Sequence, residues 1–230
     1  MTTQAITITA GNPSFSKIFS DTATDGVWSG NVALDSISNQ NIGILIPNST
    51  LTWVQPQYEA GAMAWRLQNA QTLRVSSWGF GCLTGDSEKQ YIGPVQVSPN
   101  DILTTFPLAV AGAGTSAALM WVTTTKGTEL FHVNGLDNVD TEMLTSVNNQ
   151  TLGDAFFNST LLSITVQLQD GALLNNISIQ DNAGGVVMTV QGNGRGDTTA
   201  SRSNYVNAAC TGLSVPIGKG FKLNVNALAV

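Results

Sequence analysis

Charge is what this chain of 230 residues has least of: Asp, Glu, Lys and Arg together make up 10% of it, against about 25% in an ordinary soluble domain. That density excludes an acidic disordered tail, a charged coiled coil and a basic sleeve for nucleic acid. Nine Lys and Arg against fifteen Asp and Glu leave a net charge of −6. The sign is wrong for gathering phosphates, so free nucleic acid is not an expected partner. Histidine occurs once, as His132 in LFHVNG, and any Ser–His or Cys–His mechanism would have to use it. The plainer reading is a strand-edge imidazole satisfied by a neighbour. There is no GxSxG elbow, HExxH helix or CxxC pair, so serine hydrolase, zincin and structural zinc readings lack their starting residues. Two cysteines, Cys82 and Cys210, are too few for a disulfide scaffold and are expected as unpaired, mostly buried thiols.

Long apolar runs are also scarce. The opening MTTQAITITAG has neither a basic n-region nor an apolar h-region, so no signal peptide is visible and the product is expected to start in a cytoplasm. Residues 102–122 (ILTTFPLAVAGAGTSAALMWV) carry no charge over 21 positions, long enough to cross a bilayer as a helix. Pro107, Gly112, Gly114 and four hydroxyls weaken that reading. Two buried strands joined through AGAGTS are expected instead, with no membrane as partner.

In place of charge the chain carries 20 Asn, 26 Thr, 19 Ser and 23 Gly, residues that bond or turn without an ion's desolvation cost. Apolar residues recur with period two, as in LSITVQLQ at 162–169, where Leu162, Ile164, Val166 and Leu168 share a face. Similar alternation runs through 6–9, 177–180, 186–191 and 221–228, the pattern of half-buried strands. Asp25-Gly26, Asn134-Gly135, Asp170-Gly171, the stretch 181–185 and Gly192-Asn193-Gly194 stand between as turns. The fold class is therefore all-β, a β-sandwich or jelly-roll-like arrangement. At most one short helix interrupts it, near 140–150, where Asp140 could cap a run through Val147. No repeat of 20–50 residues stands out, and no Pro- or Ser-rich linker divides the chain. It reads as a single compact β unit over 1–230, with a subdivision between earlier and later strands placed near 140–160.

Candidate chemistry is thin. Gly112-Ala113-Gly114-Thr115-Ser116-Ala117 has the GxGxxA spacing, but AALMWVTTT after it is strand-forming and gives no helix to hold a pyrophosphate. Asp137, Asp140 and Glu142 could offer oxygens to Ca²⁺ without the spacing of an EF-hand. Arg195-Gly196-Asp197 spells an adhesive tripeptide, and suits a local turn or an inter-subunit ion pair equally well. Four Asn-x-Ser/Thr sequons, at Asn48, Asn149, Asn158 and Asn176, are what chance gives in so amide-rich a chain. Of Trp28, Trp53, Trp65, Trp78 and Trp121, most are expected as core or interface anchors, with Trp78-Gly79-Phe80-Gly81 the least core-like. The candidate interface is Trp28, Trp78, Phe80, Arg195 and Asp197. No catalytic residue, cofactor or metal is expected.

The strings VSPNDIL (97–103), FPLA (106–109), ALMWV (118–122) and KGTELF (126–131), with NQTLGD (149–154) and PIGKGF (216–221), resemble head decoration (cement) proteins of tailed bacteriophages, especially marine and cyanobacterial ones. The likeness spans roughly 60–230. It implies a viral structural protein and not an enzyme: a jelly-roll-like homotrimer on the capsid exterior of the virion, made in the host cytoplasm and bound to the major capsid protein. A tail-fibre or host-glycan binding module is the alternative, and a minor capsid or tail-tube subunit the second.

Overall fold

The structure, a computed structural model, describes residues 2–10, 15–29, 33–58, 61–81, 90–109, 116–136, 141–168, 173–191 and 208–228. The chain divides into two compact units, Met1–Ala109 and Val110–Val230. The region 140–160, expected to separate earlier from later strands, lies inside the second unit. Both units are antiparallel β-structure, so the all-β expectation holds.

The first unit contains β1 (Thr2–Ala10), β2 (Phe15–Ala23), β3 (Leu34–Asp35), α1 (Ile42–Leu45), β4 (Thr50–Tyr58), β5 (Gly61–Asn69), β6 (Val75–Gly81), β7 (Gln90–Gln96) and β8 (Asp101–Ala109). They form a five-stranded sheet ordered β3-β2-β1-β4-β7 and a three-stranded sheet ordered β6-β5-β8. Period-two alternation turns Ile6, Ile8, Phe19, Leu51 and Val54 of the first sheet and Met63, Trp65 and Leu67 of the second into one core.

The second unit contains β9 (Ser116–Thr124), β10 (Gly127–Leu136), β11 (Thr141–Ser146), α2 (Leu152–Phe156), β12 (Ser159–Leu168), β13 (Leu173–Gln180), β14 (Val186–Gln191), β15 (Ala208–Ile217) and β16 (Lys222–Leu228). Its eight strands run β14-β13-β16-β11-β10-β9-β12-β15 in a single sheet. The sheet turns a corner at β10–β11, where only Phe131↔Ser146 and His132↔Thr145 pair, and its two halves enclose one core. Each half steps back by one strand and then forward by three, as in β10, β9, β12, β15. These are the neighbour relations of a jelly roll whose chain is opened at a different loop.

Adding eight to every strand label of the first unit reproduces the second. The order β2-β1-β4-β7 becomes β10-β9-β12-β15, β6-β5-β8 becomes β14-β13-β16, and the β2–β3 corner becomes β10–β11. The one pairing without a ladder in the first unit, the counterpart of β11–β16, is made by single backbone bonds along β8: Ala33 N–H to Leu103 O at 2.8 Å and Ser29 N–H to Thr105 O at 2.9 Å. Sequence follows structure most closely between Asn39 and Leu51. Read at an offset of 110, this stretch matches Asn149–Leu161 at seven of thirteen positions: Asn39, Gln40, Gly43, Asn48, Ser49, Thr50 and Leu51. The repeat is longer than the 20–50 residues over which tandem arrays are usually sought.

The shared residues do the same local work in both units. Asn39 and Asn149 have φ 56° and 57°, and Asn48 and Asn158 have φ 60° and 58°, a left-handed conformation that Asn tolerates better than other side chains. Three of the four sequon asparagines are thus turn residues. Asn41 and Thr151 cap the two short helices, accepting from Ile44 N–H at 3.0 Å and Asp154 N–H at 3.2 Å. Gly43 and Gly153 press each helix onto the loop that leads into the last strand of its unit. A Cβ on Gly43 would sit 2.6 Å from the carbonyls of Pro99 and Asp101, and one on Gly153 would sit 2.5 Å from Gly218 O and Gly220 N. After Leu51 and again after Leu161 the strand bulges by one residue.

Several expectations are corrected here. Residues 141–146 are a strand, β11, because Leu144 and Ser146 turn inward with period two and the stretch pairs with β16. The short helices lie at 42–45 and 152–156. Leu162 leaves the core because of the bulge and is 38% exposed, while Leu161 takes the inward place. Asn134-Gly135 is a bulge within β10 and not a turn, with Gly135 at φ 82°. The uncharged run 102–122 forms β8 and β9, as expected, but the two strands belong to different sheets and do not form a hairpin. No helix among the described residues is long and apolar enough to cross a membrane.

Candidate functional site

In the first unit, β5 alternates between two faces. Met63, Trp65 and Leu67 enter the core, while Ala64, Arg66 and Gln68 point to the opposite side. Directly across from them on that opposite side stand Phe80 and Trp78 of β6 and Phe106 and Thr104 of β8. Trp28 lies over this face. Its ring meets Phe106 edge-on at 5.5 Å between centroids, and the Arg66 guanidinium stacks 3.9 Å above the indole, an attraction between cation and ring quadrupole. Arg66 also donates from Nε to Thr104 Oγ1 at 3.1 Å, which orients the guanidinium plane.

Three of the five candidate interface residues therefore come together. Trp28 and Trp78 are half-buried at the rim, whereas Phe80 is 3% exposed and belongs to the packed centre with Phe106 and Ala64. Arg195 and Asp197 lie outside the described residues. Arg66 is the group that sequence reasoning missed. Its signal was there, since it is the one cation inside the alternating string AMAWRLQ.

Beneath the same sheet, on the core side, a polar cluster has no counterpart in the second unit. Gln4 and Asp21 face each other across β1–β2 and Thr105 joins them from β8. Thr105 Oγ1 is 3.1 Å from both Gln4 Oε1 and Asp21 Oδ2, and one hydroxyl hydrogen can serve only one acceptor. The second donor is either a proton on Asp21 or the Gln4 amide nitrogen after a half-turn. Burial pushes the Asp21 carboxyl above its ordinary value, and hydrogen bonds from Ser29, Thr105 and the Thr22 amide offset part of that rise. Asp21 Oδ1 is buried without a partner. At the same register positions the second unit has Ala118, Val133 and Val225.

The remaining candidates are scattered. His132 is half-buried on β10, between Leu119 of β9 and Thr145 of β11. Trp65 and Trp121 are fully buried. Glu142 lies on β11, while Asp137 and Asp140 are outside the described residues, and no group of three metal-ligating side chains occurs among those described. Cys210 is opposite Ile164 on β12, and Cys82 is outside the described residues. Gly112 and Gly114 are likewise outside, and Ser116 and Ala117 open a strand.

Two of the sequence strings singled out above occupy equivalent places in the two units. VSPNDIL (97–103) and PIGKGF (216–221) are the loops that receive Gly43 and Gly153, and NQTLGD (149–154) carries Gly153 itself. Comparison with protein-family models, with curated proteins and with solved structures finds no match.

Proposed function

We propose that this chain is a structural protein of a tailed-bacteriophage head, a decoration protein that binds the capsid exterior as a homotrimer and stabilises the shell through contacts with the major capsid protein. It does no chemistry in this reading. The observation that carries it is the Trp28–Arg66–Trp78 face. Tryptophan and arginine are among the residues that most often dominate binding energy at protein interfaces, where they sit in a well-packed centre from which surrounding contacts exclude water. Here they stand beside the packed side chains of Phe80, Phe106 and Ala64. The low charge of the chain, 10%, supports the same reading, because an interface core depleted of ions excludes water at little desolvation cost.

Such a protein works by mass action. It binds the assembled lattice and not the dissociated subunits, so the assembled state is favoured by the free energy of binding. Closed symmetry keeps identical edges from growing into fibres. The test is to mix the purified chain with undecorated heads and follow shell disruption on heating. The disruption temperature should rise, and Trp28→Ala and Trp78→Ala should each weaken binding by about 2 kcal/mol. Failure to bind any head removes the proposal.

A further inference from the structure

Residues 24–29 run along β8 as a strap. Gly26 N–H donates to Pro107 O at 2.8 Å, Ser29 N–H donates to Thr105 O at 2.9 Å, and Asp25 Oδ1 accepts from the Ala109 amide. In the second unit the matching edge of β16 is closed by a ladder with β11, from Thr141↔Asn226 to Leu144↔Leu223. A segment held by single backbone bonds opens more readily than one in a ladder.

Neighbouring residues of the strap face opposite ways. Trp28 lies on the outer side against Phe106 and Arg66. Ser29 is buried and turns to the core side, where its hydroxyl bonds Asp21 and accepts from the Thr105 amide at 3.4 Å. Asp21 is 5% exposed, and the groups that bond it are Ser29, Thr105 and the Thr22 amide, none of them charged. The other titratable groups near it are held elsewhere or neutral. Tyr58 of β4 stands beyond Gln4 in the same row and is buried. Asp35 of β3, opposite Phe19, accepts from the Ile37 and Ser38 amides, and Asp101 of β8 accepts from Ser98 N–H and Asn69 Nδ2. Arg66 is on the far side of the sheet.

We propose that the strap is a pH-controlled flap, docked while Asp21 carries its proton and released, together with Trp28, when Asp21 ionises. With the proton in place, Asp21 Oδ2 donates to Thr105 Oγ1, which gives its own hydrogen to Gln4 Oε1. Without it a charge is left buried with Oδ1 unpartnered, and holding a charge away from water is costly. Lifting Ser29 admits water to that oxygen and breaks single backbone bonds but no ladder. Burial holds the carboxyl above its ordinary value, so release comes as pH rises through that raised value. The second unit has neither part of the device: Val133 stands at the register position of Asp21, and the ladder closes the edge. The inference does not depend on what the Trp28 face meets.

The test is residue-resolved amide exchange on the full chain over a pH series, expressed as protection so that the intrinsic pH dependence of exchange drops out. NMR follows the Asp21 carboxyl and the Trp28 indole N–H in the same samples, with Trp28→Phe assigning the indole signal. The amides of Ser29 and Ala33 should be less protected than those around Val54 at every pH, and should lose about tenfold in protection as Asp21 ionises. The Trp28 signal should move with the midpoint of the Asp21 carboxyl, and Asp21→Asn should keep the acid-side protection throughout. Protection at Ser29 and Ala33 equal to that around Val54, the same pH-dependent loss in Asp21→Asn, or a Trp28 signal that stays constant while Asp21 titrates would each overturn the proposal. The last of these is read on the unsubstituted chain, so the outcome does not hang on the variant folding.

Discussion

Where the first unit buries Gln4 opposite Asp21, the second has buried Ala118 opposite partly buried Val133. Where the first pairs Trp53 with Tyr91, the second pairs Ser163 with Thr211. Yet both units keep Gly43 or Gly153 beneath the loop, an Asn in the left-handed region before the fourth strand, and Leu51 or Leu161 just before a bulge. The retained positions are those where backbone geometry leaves no choice. A glycine is there because backbone atoms of the facing loop occupy the space of a Cβ, and an asparagine because φ is positive. The altered positions are linings and faces, where any side chain of suitable size and polarity satisfies the same ladder.

The comparison can be broken by treating paired positions alike. Leu51→Ala and Leu161→Ala remove fully buried side chains from equivalent sites, and each should cost about 2–5 kcal/mol in urea denaturation. A large cost for one and none for the other would mean that the two cores are not built alike. Gly43→Ala and Gly153→Ala force a methyl onto backbone that cannot move aside, with an expected loss of about 1–3 kcal/mol each.

Asp21 sharpens the contrast, because it titrates where the second unit has a valine. A carboxyl whose value is raised by folding keeps its stabilising contribution below the unfolded value and loses it as pH rises through the folded one. Stability should therefore fall on going from acid toward neutral pH, and Asp21→Asn should flatten that slope and raise stability at neutral pH. An unchanged slope in thermal melts across that range would assign the dependence elsewhere. The smallest effect is expected from Trp53→Ser with Tyr91→Thr, which should change stability by no more than about 1 kcal/mol, the scale of one cross-strand pair.

Much of the fold was legible in single strands. Stretches 177–180, 186–191 and 221–228 alternate cleanly, and each falls within a strand or spans one. Leu162 misled because it is itself the extra residue of a bulge between Leu161 and Ser163, and nothing in LSITVQLQ marks it. The stretch 141–147 misled because Asp140 and Glu142 mimic a helix start, while strand pairing with β16 is a tertiary fact. Duplication was visible in principle as NQ-x-x-G and NST-L recurring 110 residues apart, but its spacing is that of a domain and not of a solenoid repeat. The candidate site was half legible. Trp28 and Trp78 could be picked by residue type, but Arg66 between them, and Asp21 beneath the sheet, are assembled from strands far apart in the chain.

The shared frame is tested most directly by amide hydrogen exchange resolved by residue. The slowest amides are expected at matching places in the two units, on the β1–β4 pair around Val54 and the β9–β12 pair around Ile164. Slow exchange centred in the second unit on the β13–β14 hairpin, with no counterpart to the first, would contradict it.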